Sequence, residues 1–162
     1  MTNLYSYLAG VFDGEGTVQI NTRTQKNRTT PSLEMRLSLA NTDFRIPILF
    51  HKTFGGSYIE LPPKGTRRSS LDWRVNGKVA IEAANRLIEF SVTKKDQLLL
   101  FLYIGETVVK IGGRTGDEVN AERSRISLMS KQLIHADWSG ETDFAKQLLD
   151  ERLKELGWSL LR

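Results

Sequence analysis

The nine residues LAGVFDGEG, residues 8–16, stand where the hydrophobic pattern of this 162-residue chain changes its period. Up to this segment, apolar residues recur at spacings of three and four, which predicts a helix over residues 4–13. Beyond it, apolar and polar residues alternate from Val18 onward, which predicts a strand with one buried face. We expect Gly14 and Gly16 to end the helix, because glycine adopts without steric cost the left-handed conformation that often follows a helix.

Both periods recur along the rest of the chain. Strand-like alternation occurs in four segments, residues 17–23, 33–39, 57–61 and 70–76, and helical spacing follows each pair of them. The resulting order is α-ββ-α-ββ-α followed by further helices. We predict one α+β domain over residues 1–162, with a four-stranded antiparallel sheet and helices on one of its faces. Its core is expected over about residues 4–110, and a helical extension over about residues 113–162.

Positive charge is concentrated in one third of the chain. Residues 21–78 contain eleven Lys and Arg residues against four acids, whereas the remainder is slightly acidic and the whole chain has a net charge of +4. A basic region of this kind indicates a polyanionic partner, and the alternative is a solvated basic surface.

The composition also excludes several classes of site. The chain has no cysteine, which excludes disulfides, zinc–thiolate sites, iron–sulfur clusters and thiol nucleophiles. No apolar run approaches the roughly 18 residues of a membrane span, and the N-terminal residues lack the basic start and cleavage site of a signal peptide. We therefore expect a protein that is not secreted, has no membrane partner and works inside the cell.

The polar side of the predicted sheet carries side chains able to read nucleic acid. Arg and Lys can donate to guanine, Asn and Gln can bridge adenine, and Asp and Glu can accept from cytosine. The alternation assigns Ile59 and Leu61 to the opposite, core-facing side. The residues assigned to the polar side are Gln19, Asn21, Arg23, Glu34, Arg36, Ser38, Tyr58, Glu60, Ser70, Asp72, Arg74 and Asn76. The basic tips, which suit phosphate contacts, are Lys26, Arg28, Lys64, Arg67 and Arg68. A solvated sheet face without a ligand is the alternative.

The predicted first helix has an unusual composition. Gly10 and Gly14 with Ala9 leave one of its sides almost bare, and each glycine inside a helix costs about 1 kcal/mol. Close approach of a second helix would explain that cost. Glu15 stands at the helix end, where the helix dipole disfavours an acid and a bound cation would reverse the penalty. The alternative is a glycine-rich turn with an exposed acid.

LAGVFDGEG resembles the nine-residue signature of the LAGLIDADG homing endonucleases. The α-ββ-α-ββ-α order is also theirs, as are three further segments: Asn41-Thr42-Asp43 before the second helix, Phe54-Gly55-Gly56 before the third strand, and Lys94-Lys95 with Gln97 after the fourth. The resemblance covers about residues 4–110 and implies a saddle-shaped sheet. Because one copy of the motif is present, the chain resembles the single-motif branch, whose members act as homodimers.

The resemblance implies roles for individual residues. In that family the motif helices of two subunits pack at the dyad, and the corresponding dimer contacts here are Leu8, Ala9, Gly10, Phe12, Asp13 and Gly14. The acid before the last glycine of the motif binds a divalent cation, which assigns Mg²⁺ or Mn²⁺ to Glu15 and Gly14, although aspartate is more usual at that position. Lys94, with Lys95 as second candidate, is expected to stabilise charge at the scissile phosphate, and Asp43 to lie near the attacking water.

The function that the resemblance implies is that of a homing endonuclease, with intron homing as the expected setting. We expect a homodimeric, site-specific DNA endonuclease that makes a metal-dependent double-strand break in a long, near-palindromic target. Its partners would be double-stranded DNA and a second copy of itself. Two alternatives remain: an RNA maturase that binds intron RNA and assists splicing, and a non-catalytic DNA-binding regulator on the same fold. Glu15 argues against the regulator but not against the maturase.

Overall fold

The chain alternates helices with pairs of antiparallel strands. The computed structural model describes residues 2–23 and 32–111. The elements are α1 (Thr2–Glu15), β1 (Gly16–Arg23), β2 (Ser32–Asn41), α2 (Arg45–Phe54), β3 (Ser57–Leu61), β4 (Ser70–Asn76), α3 (Gly77–Leu87) and α4 (Lys95–Ile111). This confirms the predicted α+β class and the order α-ββ-α-ββ-α. The helices predicted beyond residue 111 lie outside the described residues.

The four strands form one antiparallel sheet in the order β1-β2-β4-β3. Each pair of consecutive strands is hydrogen-bonded, and β2 pairs with β4 to join the two pairs at the centre. β1 and β3 are therefore the edge strands. In the part of the chain that the structure describes, no helix has the length and apolar character needed to cross a membrane.

One side of the sheet is covered by the helices and forms the core. Val18, Leu37, Trp73 and Val75 are buried there, as the alternation predicts. Trp73 packs against the rings of Phe50 and Phe54 in α2, and its indole Nε1 donates to the carbonyl oxygen of Gly55 at 2.9 Å. Burial of a polar N–H with a partner avoids the cost of an unpaired donor. The opposite side of the sheet remains open.

The junction between α1 and β1 differs from the prediction. The helix continues through Gly14 and Glu15, and β1 begins immediately at Gly16. Neither glycine has a positive φ, so the expectation that they end the helix in a left-handed conformation is wrong. Gly16 is instead required by packing, because a Cβ atom there would lie 2.3 Å from the ring of Phe12.

Strand β3 faces the opposite way from the prediction. In the antiparallel pairing with β4, Ile59 lies opposite Asp72, and residues directly opposite each other share a face. Ile59 and Leu61 are therefore on the open side, whereas Tyr58 and Glu60 are on the helix side. The ring of Tyr58 meets the ring of His51 in α2 edge-on at 5.1 Å. Because every residue of this edge strand is at least partly exposed, burial does not decide its orientation and the pairing with β4 does.

Candidate functional site

The carboxylate of Glu15 is exposed at the point where α1 ends and β1 begins. Its Oε2 accepts a hydrogen bond from Nδ2 of Asn41, the last residue of β2. Oδ1 of Asn41 accepts the backbone N–H of Asp43 at 2.7 Å. Since the amide oxygen is engaged by the backbone, the amide nitrogen is directed at Glu15. Sequence reasoning did not single out Asn41, although Asn41-Thr42-Asp43 carried part of the resemblance.

Lys94 also reaches the end of α1. Its Nζ donates to the backbone carbonyl oxygen of Asp13 at 2.6 Å, and Asp13 is two residues before Glu15. Burial lowers the pKa of the Lys94 amine, and the nearby Asp13 carboxylate opposes that shift. The structure thus brings a partly desolvated cation to the helix end that carries the exposed acid. Lys95, the second candidate, is exposed at the first position of α4.

Asp13 ties the end of α1 to the segment that precedes α4. Its Oδ2 accepts the backbone N–H groups of Val92 at 2.6 Å and Thr93 at 3.2 Å, and its Oδ1 accepts that of Lys94 at 3.1 Å. The hydroxyl of Ser91 donates to Oδ1 as well. Burial acts to raise the pKa of the Asp13 carboxyl, but these hydrogen bonds outweigh it and lower the pKa below 3.8. The carboxylate therefore fixes the backbone of Lys94 beside α1.

The carboxylate of Asp43 is occupied by Arg45. Nε of Arg45 donates to Oδ1 at 2.9 Å, Nη2 donates to Oδ2 at 2.5 Å, and the backbone N–H of Arg45 donates to Oδ1 at 3.1 Å. The hydrogen bond from the Arg45 side chain is the main cause that lowers the pKa of Asp43 to about 2. Asp43 is linked to Glu15 through its backbone and Asn41, while its charge is paired with Arg45. Its role near an attacking water stays a prediction.

The residues predicted for a dimer interface divide between the core and the surface. Leu8, Ala9 and Phe12 are buried in the core of this chain, and Asp13 makes the contacts described above. Gly10 and Gly14 are exposed, and a Cβ atom added at either would meet nothing within 4 Å. The apolar side chains of Leu4 and Tyr7, 40% and 51% exposed, continue this line at spacings of three and four residues. The open stripe of α1 is defined by Leu4, Tyr7, Gly10 and Gly14.

The open side of the sheet carries most of the residues predicted to contact DNA. By strand pairing these are Gln19, Asn21, Glu34, Arg36, Ser38, Ser70, Asp72, Arg74 and Asn76, together with the register position of Arg23. Lys64, Arg67 and Arg68 are exposed in the connection between β3 and β4. Lys26 and Arg28 lie outside the described residues. Tyr58 and Glu60 are not on this face, and Thr17, Ala40, Ser57, Ile59 and Leu61 are additional members of it.

Two arginines on the open face are held by acids on the same strand. Nε and Nη2 of Arg74 donate to Oδ2 of Asp72 at 2.8 and 2.5 Å, so this carboxylate holds one edge of the guanidinium. Arg36 is divided between two partners: its Nη2 donates to Oε1 of Glu34, and its Nε donates to Oδ1 of Asn76 at 3.0 Å. Such bracing fixes the fork of donors that arginine uses for bidentate recognition.

Comparison with solved structures relates this arrangement to known proteins. The chain is similar to the homing endonuclease I-CvuI in complex with its target, at 19% identity and a TM-score of 0.68 over 98% of each chain. It is also similar to the archaeal intron-encoded homing endonuclease I-Vdi141I complexed with DNA, at 15% identity and a TM-score of 0.62 over 90% of this chain and 91% of that one. A third structure is the LAGLIDADG homing endonuclease I-GzeII in complex with its DNA target, at 15% identity and a TM-score of 0.61, covering 86% of this chain and 48% of that one.

The chain has the fold of the LAGLIDADG homing endonucleases. No protein-family model matches its sequence, and no curated protein matches it either. The fold that the resemblance of residues 8–16 implies is therefore confirmed by the three-dimensional structure. Within this LAGLIDADG fold, Glu15 is the acid at the end of the motif helix, and the open side of the sheet carries the braced arginines.

The chemistry of the helix end fits a hard divalent cation. Mg²⁺ takes oxygen ligands and commonly uses one or two protein carboxylates, leaving the rest of its shell to water and phosphate. Glu15 supplies one exposed carboxylate, and the carbonyl of Gly14 belongs to the last turn of a helix, where carbonyls have no partner within the helix. Among the described residues, no group of three or more His, Cys, Asp or Glu side chains is placed to hold a metal by itself. A complete site would need a second carboxylate or phosphate oxygens.

Proposed function

We propose that this chain is a homodimeric, Mg²⁺-dependent homing endonuclease that cuts both strands of a long, near-palindromic DNA target inside the cell. The observation that carries the proposal is that the exposed Glu15 carboxylate and the partly buried Lys94 amine, which donates to the Asp13 carbonyl oxygen, lie at the same end of α1. The DNA-bound state of I-CvuI and I-Vdi141I, whose fold this chain shares, supports the same substrate.

The open face of the sheet is proposed to lie in the major groove. That groove is about 12 Å wide and admits a β-ribbon, and its base edges present donors and acceptors that arginine, glutamine and asparagine can pair with. β1 has eight residues and spans roughly 26 Å at about 3.3 Å per residue. At about 3.4 Å per base pair, one sheet would cover roughly eight base pairs of a half-site.

The open stripe of α1 is proposed as the contact between two copies. Gly10 and Gly14 leave room for a second backbone, and the exposed Leu4 and Tyr7 supply apolar surface beside them. A two-fold axis there would bring the two Glu15 carboxylates near each other, because Glu15 ends the same helix. We expect Gly10→Leu to lower the sedimentation mass from dimer to monomer, with Val79→Ala as a control on α3. An unchanged dimer would exclude the stripe as the interface.

Each residue at the helix end has a proposed task in phosphodiester cleavage. A divalent cation bound there would supply a more acidic water and charge stabilisation at the leaving oxygen. Glu15 would hold the cation, and Asn41 would keep the carboxylate oriented through its hydrogen bond to Oε2. The Lys94 ammonium, held at Asp13, would stabilise the negative charge that develops on the phosphoryl oxygens. Two such sites, one from each subunit, would cut the two strands.

The test is cleavage of plasmid DNA that carries the uninterrupted insertion site of the chain's own gene. We expect a linear product in Mg²⁺, and we expect Glu15→Gln to abolish cleavage while DNA binding, measured in Ca²⁺, changes little. Glu82→Gln, an exposed acid on α3, is the matched control. Persistent cutting by Glu15→Gln would remove Glu15 from the site. Binding of intron RNA without DNA cleavage would favour the maturase, and DNA binding without cleavage by the wild type would favour the regulator.

A further inference from the structure

Strand β3 places apolar side chains on a face that is otherwise polar. Ile59 is 47% exposed there, and Leu61 is partly exposed two residues along the strand. The residues of the same face on β1, β2 and β4 are polar over the described positions, with Ala40 as the exception. Ile59 is thus an exposed apolar side chain among mostly polar neighbours on the described part of this face.

Ile59 also lies beside a braced arginine. Its partner across the strands is Asp72, whose carboxylate holds the guanidinium of Arg74. Arg74 is diagonal to Ile59 in this register, and diagonal neighbours on one face of a sheet are about 7–8 Å apart. A ligand that Arg74 contacts would thus present its adjoining groups to Ile59.

We propose that Ile59 contacts the C5-methyl group of a thymine in the major groove and so selects thymine at one position of each half-site. The methyl group is the apolar feature that base pairs expose in that groove. Around it lie the hydrogen-bond donors and acceptors of the base edges, which the polar side chains of the open face can pair with. The separation from Arg74 corresponds to about two base-pair steps of roughly 3.4 Å. The thymine is therefore expected within about two base pairs of the base that Arg74 contacts. This inference rests on the proposed function, since it requires the open face to bind DNA.

The experiment replaces thymine by deoxyuridine, which removes the methyl group and keeps the base-pairing edge. The preferred duplex is first selected from a random DNA library by binding in Ca²⁺, and each of its thymines is then replaced singly. For the wild type we expect one thymine per half-site at which the replacement weakens binding about fourfold, the loss of one buried methyl group. For Ile59→Ala the same replacement is expected to change binding by less than about twofold, the scatter expected of surface contacts.

Two control variants keep the result specific. Ile59→Val retains a branched apolar side chain and is expected to retain the methyl dependence, whereas Val79→Ala removes an exposed apolar side chain from α3 and should leave it unchanged. Thermal unfolding of Ile59→Ala checks that the exposed substitution has not disturbed the fold. If the thymine-to-deoxyuridine replacement weakens binding equally in the wild type and Ile59→Ala, or does not weaken it in the wild type, the inference is overturned and the proposed function is unaffected. Failure of the wild type to bind any duplex overturns both the inference and the proposed function.

Discussion

The end of α1 and the edge strand β3 are held in place by different forces. At the end of α1, the partly buried Asp13 carboxylate accepts hydrogen bonds from residues 91–94, and Lys94 returns one to the backbone of Asp13. β3 is held by backbone pairing with β4, and each of its residues is at least partly exposed. The first region joins elements far apart in sequence, whereas the backbone of the second pairs with one neighbouring strand and its Tyr58 ring packs against His51 of α2.

This difference suits two different tasks. A reacting centre needs groups fixed to within a fraction of an ångström, which the network around Asp13 can provide. A reading surface gains from exposed side chains that can be replaced at little cost to stability, because surface substitutions usually change the free energy of unfolding by less than about 0.5 kcal/mol. We therefore expect substitutions at the end of α1 to affect catalysis and stability together, and substitutions of the open-face residues of β3 to affect target preference alone.

The largest effect is expected from Lys94→Met. Methionine has a similar length but cannot donate to the Asp13 carbonyl or to a phosphate, so cleavage in Mg²⁺ should fall about 10²–10³-fold, as for loss of one charge-stabilising donor. DNA binding should change by only a few-fold. Lys95→Met, at the exposed neighbouring position, is the control and should cut nearly as well as the wild type. A large loss in Lys95→Met with normal cleavage by Lys94→Met would transfer the role to Lys95.

A smaller but structural effect is expected from Asp13→Asn. The amide offers one acceptor where the carboxylate offers two, and its NH₂ group faces the backbone donors of the segment before α4. The free energy of unfolding should fall by about 2–3 kcal/mol, typical of hydrogen bonds to a charged acceptor. Urea denaturation at fixed protein concentration measures it, with the exposed Glu89→Gln as the control. Equal stabilities would mean that Asp13 does not hold the two segments together.

The same carboxylate makes stability depend on pH. Its pKa lies below 3.8 in the folded chain, so the unfolded chain binds the proton more readily. The contribution of Asp13 is therefore complete above about pH 4 and is lost as the pH falls through the folded value. The unfolding free energy of the wild type should decline over that range more steeply than that of Asp13→Asn. Parallel pH profiles would contradict the assignment.

Much of the structure could be predicted from the sequence where one physical rule dominates. The alternation in β1, β2 and β4 predicted their buried faces correctly because those faces are covered by helices and burial decides the orientation. Residues 8–16 predicted the motif helix, and the structure brings Lys94 to its end. The prediction that glycine would end that helix was wrong because Gly16 serves packing against Phe12.

The remainder depends on contacts that no local pattern contains. Asn41 meets Glu15 across 26 residues, and Asp13 meets Val92 across 79. Leu4 and Tyr7 belong to the open stripe of α1, although an apolar residue in a helix is ordinarily expected to face the core. The orientation of β3 follows from its register with β4, and the apolar character of Ile59 and Leu61 predicted the opposite side.

The smallest effect is expected from Tyr58→Ala, which tests that orientation. Tyr58 packs against His51 on the helix side, so its removal should change binding to the selected duplex by less than about twofold and leave the base preference unaltered. Arg74→Ala, on the open face, is the comparison variant and should cost about 1–3 kcal/mol at the base pair that it reads. Binding measured against a set of single-base-pair variants of the duplex separates the two. If Tyr58→Ala altered the preference at one defined base pair, β3 would present Tyr58 to the DNA. The assignment of Tyr58 to the helix side, which rests on the pairing of β3 with β4, would then be wrong.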